Sequence, residues 1–152
     1  MFNEGIKKYV NVLTKKEQKA LLKLINIKLR RIPNCPGLQT DSDLHSYKEL
    51  SPLIERLKEY VAEKFIINKC WANHTDGEYV NWHQHQGMVS VVYYLKNKEE
   101  IGTIFLNKDK IVRTKGPENS LIIFKDRLHS VPPRKKGNPK INRYSVALEL
   151  SF

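Results

Sequence analysis

The second half of the chain, from about residue 66 onward, consists of short β-rich runs separated by turn residues. Runs rich in β-branched and aromatic residues, bounded by Gly, Pro, Asn or Asp, are typical of short strands. Seven segments have this character: 66–73, 79–84, 88–95, 103–106, 110–114, 120–124 and 143–152. So many short strands in under 90 residues predict a mainly β protein with a double-sheet jelly roll or barrel.

The last of these runs, 143–152, has a period of two. Alternate residues of a strand point to opposite faces. One face would carry Tyr144, Val146, Leu148 and Leu150. The other would carry Arg143, Ser145 and Ala147. The run therefore predicts a strand with one apolar and one largely polar face.

Two amphipathic helices are predicted before the β-rich half. Thr14 and Glu17 form a capping-box pattern, apolar residues recur at helical spacing up to Leu29, and Pro33 prevents continuation. Ser51 and Pro52 signal a second start, with Ser51 as the cap. We expect both helices to pack on the outside of one sheet, so that 1–66 supports a jelly-roll core at 67–152 within a single domain.

Composition limits the classes that remain. With 40% hydrophobic and 28% charged residues, the chain is too apolar to be disordered. The longest apolar run, 88–95, is far shorter than a membrane span. Cys35 and Cys70 form no CxxC pair, which argues against a disulfide scaffold and a cysteine zinc site. Because the N-terminus lacks a signal-peptide pattern, we expect a cytoplasmic protein.

The net charge of +11 would suit a polyanionic partner such as nucleic acid. It is spread evenly, since the parts before and after residue 69 carry +6 and +5. The charge therefore identifies no binding face. Only the basic segment 133–140, interpreted as a solvated loop, remains a candidate for docking phosphate.

Histidines are placed where they could meet. His83 and His85 lie at i and i+2 near the end of a predicted strand, so both would point to one face. His129 follows the apolar run 120–124. Arg143, with Ser145 on the same face of the last strand, is suited to bidentate capture of a carboxylate. This pattern is compatible with a metal site and an anion site, although histidines in such numbers are also common without a metal.

These elements together resemble the Fe(II)/2-oxoglutarate-dependent oxygenases, and most of all the small members of that superfamily found in phages and marine bacteria. The resemblance covers about residues 35–152 and depends on the order of several separated motifs. They are Trp71-Ala72-Asn73, Trp82-His83-Gln84-His85, the Tyr93-Tyr94-Leu95 strand, Leu128-His129-Ser130-Val131-Pro132 and Arg143-Tyr144-Ser145.

The resemblance implies a double-stranded β-helix, a jelly roll of the cupin-like kind. It also implies an iron site in which His83 and His129 are ligands. Arg143 and Ser145 would receive the remote carboxylate of 2-oxoglutarate. A tyrosine of the pair Tyr93 and Tyr94 would assist them, as would Asn73. The implied cofactors are Fe(II), 2-oxoglutarate and O₂.

Position 85 departs from the pattern of the superfamily, because His85 stands where most members have the carboxylate of a facial triad. Three interpretations remain open. In the first, His85 is the third ligand. In the second, His85 and His129 are the only protein ligands, with Gly87 in the carboxylate slot. In the third, the site is degenerate and holds metal weakly. A carboxylate from outside the motif would have to come from Asp76 or Glu78, which are better explained as turn residues.

The function predicted on this basis is hydroxylation of a C–H bond with release of succinate and CO₂. A protein side chain is favoured as substrate over nucleic acid, and no membrane partner is expected. One alternative is a degenerate jelly roll that binds an anionic polymer. Another is a three-histidine dioxygenase without 2-oxoglutarate, which would leave Arg143 and Ser145 without a role.

Overall fold

A computed structural model describes residues 5–77, 80–125, 127–132 and 142–152. Two helices and ten strands follow one another along these residues. In chain order they are β1 (Lys7–Tyr9), α1 (Lys15–Lys28), β2 (Leu38–Gln39), α2 (Ser51–Tyr60), β3 (Ile66–Thr75), β4 (Val80–His83), β5 (Val89–Lys96), β6 (Ile101–Asn107), β7 (Lys110–Lys115), β8 (Ser120–Lys125), β9 (His129–Val131) and β10 (Arg143–Ser151). Two 3₁₀ turns, Leu44–Ser46 and Lys48–Leu50, precede α2.

The strands form two antiparallel sheets. The larger sheet has six strands in the order β1-β8-β5-β10-β3-β2, and the smaller has four in the order β4-β9-β6-β7. The pairings between strands distant in the chain give the crossed connectivity of a jelly roll rather than that of a simple meander. The predicted mainly β, two-sheet fold is confirmed.

Both helices cover the outer face of the larger sheet. Leu21 and Ile25 of α1 and Leu53 and Leu57 of α2 are fully buried in one apolar cluster. The sheet contributes alternate residues of its central strands to the same cluster, including Tyr144, Val146, Leu148 and Leu150 of β10. The predicted apolar face of the last strand and the predicted position of the helices are therefore confirmed.

Both helices begin where their sequence signals predicted, but only α1 has the predicted cap. Thr14 Oγ1 accepts a hydrogen bond from Glu17 N at 3.2 Å, and Glu17 Oε1 accepts one from Thr14 N at 2.8 Å. Ser51 was predicted to cap α2, and this is wrong. The 3₁₀ turn that ends at Leu50 runs directly into the helix, so Ser51 already has helical φ and ψ of −54° and −43° and no side chain caps the helix.

Three short strands have no clear sequence signal. β1 and β2 form the two edges of the larger sheet by pairing with β8 and β3. β9 pairs with β4 and β6 in the smaller sheet. Strands of two or three residues are too short to show a period, and tertiary pairing defines them. The part of the chain before residue 66 thus supplies edge strands as well as helices.

No helix among the described residues has the length and apolar character that a membrane crossing requires. Cys35 and Cys70 are both free thiols. Cys70 lies on β3 beneath the helices and is fully buried, whereas Cys35 is half-buried. Burial raises the pKa of Cys70 to about 12.

The two thiols should therefore differ in reactivity. Only the thiolate is nucleophilic, and Cys70 stays protonated and inaccessible at any pH well below 12. Iodoacetamide at mildly alkaline pH should add one group to the native protein, at Cys35, and a second only after denaturation in guanidinium chloride. Mass spectrometry of the intact chain and its peptides checks this. Rapid labelling of Cys70 in the native protein would contradict the packing of α1 and α2 on the sheet.

Candidate active site

A cavity of about 150 Å³ lies between the two sheets, on the inner face of the larger one. The walls are apolar in part, through Val92, Phe124, Val131 and Ala147. The titratable groups of its lining are His83, His85, His129, Arg143 and Glu149. A partly apolar cavity with a few convergent charged and metal-binding groups is the usual form of an active site.

Strand register brings two of the histidines together. His83 is the last residue of β4 and His129 the first of β9, and the two residues are directly opposite in the antiparallel pair. Their ring centroids are 4.2 Å apart. His129 is also held from the side by Phe124, whose ring lies 4.9 Å away at a steep angle.

His85 completes the cluster, but not for the reason that the sequence suggested. β4 ends at His83, so His85 lies in the turn after the strand and not on its face. Its ring centroid is 5.1 Å from that of His83 and 5.4 Å from that of His129. One nitrogen from each of the three rings falls within 4.8 Å of the others, an arrangement that could hold a metal ion.

Hydrogen bonds at Nδ1 orient the three rings for metal binding. His83 Nδ1 lies 2.8 Å from the carbonyl oxygen of Asn81, and His129 Nδ1 lies 2.9 Å from that of Arg127. A carbonyl oxygen can only accept, so both Nδ1 atoms carry the proton and the lone pair is at Nε2. His85 Nδ1 lies 2.6 Å from Glu149 Oε1. Metal-binding histidines have this kind of partner on their second nitrogen.

The pKa of the His129 side chain is lowered. Burial, with smaller contributions from His83 and His85, lowers the pKa of His129 to about 4. The imidazole is therefore neutral at physiological pH, as a metal ligand must be. Together, the donor type and the ring orientation fit a divalent transition metal such as Fe(II), for which imidazole is a suitable ligand.

Carboxylates do not join the ligand group. Among the described residues, the cluster with ligand atoms in reach of one another contains histidines alone. Asp76 is not in it, and Glu78 lies outside the described residues. The interpretation with only His85 and His129 as ligands would leave His83 without a role, although its ring contacts that of His129. The geometry favours the three-histidine interpretation.

Arg143 is a buried cation with no carboxylate beside it in the described part of the chain. It is 4% exposed, and in the described parts of the chain no carboxylate oxygen lies within 4.0 Å of its guanidinium. Its polar contacts are weak: Nη1 donates to Ser145 Oγ at 3.4 Å and Nε donates to the Ile101 carbonyl at 3.4 Å. Burial lowers the pKa of Arg143, but a guanidinium remains charged in proteins. Such a group is costly to bury unless a ligand completes its pairing.

The side chains of Tyr93 and Tyr94 point to opposite faces of β5. The Tyr94 ring lies 5.3 Å from the Arg143 guanidinium, and the Tyr94 hydroxyl shares a hydrogen bond of 2.9 Å with Thr103 Oγ1. Tyr93 points to the other face of β5, where its hydroxyl donates to Asn119 Oδ1 at 2.8 Å. The structure therefore places Tyr94 beside Arg143 and does not bring Tyr93 to the cavity.

The other residues singled out from the sequence are distributed as follows. Asn73 lines the cavity and pairs with Ser145 across β3 and β10. His74 stacks on Tyr144 with a centroid distance of 4.2 Å, and His45 lies in a 3₁₀ turn, so neither belongs to the described histidine cluster. The basic segment 133–140 lies outside the described residues.

Sequence reasoning missed Glu149. It is 7% exposed and faces the cavity. The signal was present, because Glu149 continues the alternation that puts Arg143, Ser145 and Ala147 on one face of β10. A single acidic residue between two leucines near the end of a buried strand indicates a polar position on that face.

No protein-family model matches the chain, and no curated protein matches it. Solved structures do resemble it. A prolyl hydroxylase from Trichoplax adhaerens, in complex with a peptide of hypoxia inducible factor, has a TM-score of 0.68 at 16% identity and covers 97% of this chain and 84% of its own. HygX from Streptomyces hygroscopicus, with nickel and 2-oxoglutarate bound, has a TM-score of 0.79 at 8% identity and coverages of 97% and 82%.

A third match is the viral collagen prolyl hydroxylase of Paramecium Bursaria Chlorella virus-1, in a 2-oxoglutarate complex. Its TM-score is 0.69 at 14% identity, with coverages of 97% of this chain and 96% of that one. The chain therefore has the jelly-roll fold of the 2-oxoglutarate-dependent oxygenases. This agrees with the double-stranded β-helix that the sequence motifs implied.

The geometry predicts that the protein binds one divalent metal ion at the histidine cluster. His129→Ala removes a ligand, and should weaken binding of Co(II) or Fe(II) by more than about 100-fold, since loss of an outer-shell partner alone costs roughly 10- to 100-fold. Anaerobic calorimetric titration measures this. His45→Ala, a histidine outside the cluster, is the matched control and should bind as the wild type does. Equal affinities of His129→Ala and wild type would contradict a metal site here.

Proposed function

We propose that the protein is an Fe(II)- and 2-oxoglutarate-dependent dioxygenase that hydroxylates a C–H bond of a protein side chain. One observation carries the proposal: the same cavity holds a three-histidine cluster and a buried arginine with no anionic partner among the described residues. The first group suits a metal, and the second suits the free carboxylate of a dicarboxylate that also reaches the metal.

In this proposal His83, His85 and His129 hold the iron. With three protein ligands, they would leave the metal accessible to 2-oxoglutarate and O₂. Iron bound there supplies O₂ activation, by which oxidative decarboxylation of 2-oxoglutarate to succinate and CO₂ is coupled to hydroxylation of the substrate. The neutral state of His129 keeps its lone pair available without a proton having to leave.

Arg143 and its neighbours would fix the co-substrate. The guanidinium would take the remote carboxylate of 2-oxoglutarate in two parallel hydrogen bonds, and the Ser145 hydroxyl, 3.4 Å from Arg143 Nη1, would donate a third. Tyr94 limits the position of Arg143 by stacking under it, and Thr103 fixes Tyr94 in turn. Gly116 permits this packing, since a Cβ at that position would lie only 2.8 Å from the Tyr94 ring.

The apolar part of the lining would exclude water from the reaction. Phe124 is fully buried and Val92 and Ala147 are half-buried along the same wall. A dry cavity strengthens the contact between Arg143 and a carboxylate and protects a reactive oxidant from side reactions. Asn73, on the strand next to Ser145, is a further polar group that would contact the co-substrate.

The choice of a protein side chain as the substrate draws on the sequence resemblance and on fold neighbours. Two of the similar structures are prolyl hydroxylases, one of them in complex with a peptide. We also assign the chain, on its ordered motifs, to the small oxygenases of phages and marine bacteria. A three-histidine enzyme that uses no 2-oxoglutarate is disfavoured, because it would leave the charge of Arg143 buried without a ligand.

Arg143→Met tests the proposal with two readouts. With Fe(II) and 2-oxoglutarate under anaerobic conditions, the wild type should show the metal-to-ligand charge-transfer absorption of the chelate. The variant should need roughly 10- to 100-fold more 2-oxoglutarate for the same signal, since charged hydrogen bonds contribute about 1.5–3 kcal/mol. The apo variant should melt at the same temperature or higher, because an unpaired buried charge is replaced by an apolar side chain of similar length.

Arg113→Met is the matched control. Arg113 lies exposed on β7, and its replacement makes the same chemical change away from the cavity. It should leave the absorption titration unaltered. If the wild type bound metal but gave no absorption with 2-oxoglutarate, the proposal would be overturned in favour of a jelly roll that has lost oxygenase chemistry.

A further inference from the structure

We propose that Glu149 is a positioning residue for the metal site, and that it supplies through His85 the negative charge that a carboxylate ligand would otherwise bring. The inference rests on the proposed function, because it concerns the same iron site. It explains how a cluster of three imidazoles, with no carboxylate among its members, could attract a divalent cation.

The contact between the two side chains is short and sheltered from solvent. His85 Nδ1 lies 2.6 Å from Glu149 Oε1, and the two side chains are 22% and 9% exposed. Hydrogen bonds to an ionised carboxylate are stronger than those to a neutral carbonyl, and low exposure limits screening by water and salt. The charge of Glu149 is thus held one imidazole ring away from the ligand atom.

Glu149 is fixed by the centre of the larger sheet. It lies on β10, which pairs on one side with β5, where Ser90 is opposite Glu149, and on the other with β3, where Lys69 is opposite. Both neighbouring strands are long, with ten residues in β3 and eight in β5. The backbone that carries the Glu149 carboxylate is therefore held in place. For this reason Glu149 orients His85 and is not oriented by it.

His85 needs such an anchor more than the other two histidines do. His83 and His129 lie on paired strands, and backbone carbonyl oxygens hold their Nδ1 atoms. His85 lies beyond the end of β4, in a segment without ladder pairing. Glu149 thus acts on the one histidine of this cluster that does not itself lie on a paired strand.

Arg143 and Glu149, the two charged residues of β10, have different roles. Arg143 and Glu149 share the inner face but are six residues apart, which is about 20 Å along a strand. They form no ion pair with each other. The cation is therefore available to the co-substrate, and the anion to the metal ligand His85.

Glu149→Gln tests this inference through metal affinity. The amide oxygen can still accept the His85 Nδ1 proton, so that the change mainly removes charge. Anaerobic titration should show Co(II) or Fe(II) binding roughly 10- to 100-fold weaker than in the wild type. The charge-transfer absorption with 2-oxoglutarate should move to shorter wavelength, because a less electron-rich iron gives up an electron less readily.

Two further variants separate this role from a structural one. In a His85→Ala background, Glu149→Gln should have no additional effect on metal affinity, because Glu149 acts through His85. The double variant His85→Asp/Glu149→Gln moves the carboxylate into the ligand position, and should recover at least wild-type affinity even if Glu149→Gln alone folds poorly. Glu55→Gln, an exposed carboxylate on α2, is the control for the change in net charge.

The outcomes distinguish this inference from the proposed function. Wild-type affinity in folded Glu149→Gln, or no recovery in the double variant, would overturn the role of Glu149 while the wild-type absorption with 2-oxoglutarate still supported the oxygenase. Absence of metal binding or absorption in the wild type itself would instead refute the proposed function.

Discussion

Burial of strand β10 on both faces is the constraint on which the rest of the structure depends. This position sets the chemistry of both faces of the strand: one face must be apolar to hold the helices, and the other can be polar only where a ligand or a partner compensates. Tyr144, Val146 and Leu148 meet the first demand. Arg143, Ser145 and Glu149 make up most of the second face, and all three are at least nine-tenths buried.

Because the inner face of the larger sheet is partly polar, few apolar side chains pack between the two sheets. The apolar cluster there is small and comprises Ile6, Tyr94, Phe105, Ile122 and Phe124. The much larger cluster under the helices carries most of the hydrophobic stabilisation. The helices therefore allow the inner face to hold a cavity, because the sheet does not depend on that face alone for its stability.

The sequence was informative wherever a period or a motif persisted over several residues. The alternation in 143–152 predicted both faces of β10, and the Thr14 capping box predicted the start of α1. It was uninformative where tertiary pairing decides, as in the short strands β1, β2 and β9. The convergence of His85 was expected from strand alternation, yet it comes from a turn beyond β4 and a contact with Glu149 that no local pattern encodes.

Residues of both sheets form the candidate site, so the site depends on how the two sheets pack against each other. His83 and His129 belong to the smaller sheet, whereas Arg143 and Glu149 belong to the larger one. The histidine cluster contacts the larger sheet through the His85–Glu149 pair and through the Phe124 ring beside His129. Because a metal bound by all three histidines favours the closed arrangement over any open one, its binding free energy also stabilises the contact between the sheets. The same contact brings the histidine cluster and Arg143 into one cavity, so the pairing of a metal with a dicarboxylate that we propose depends on how the sheets close.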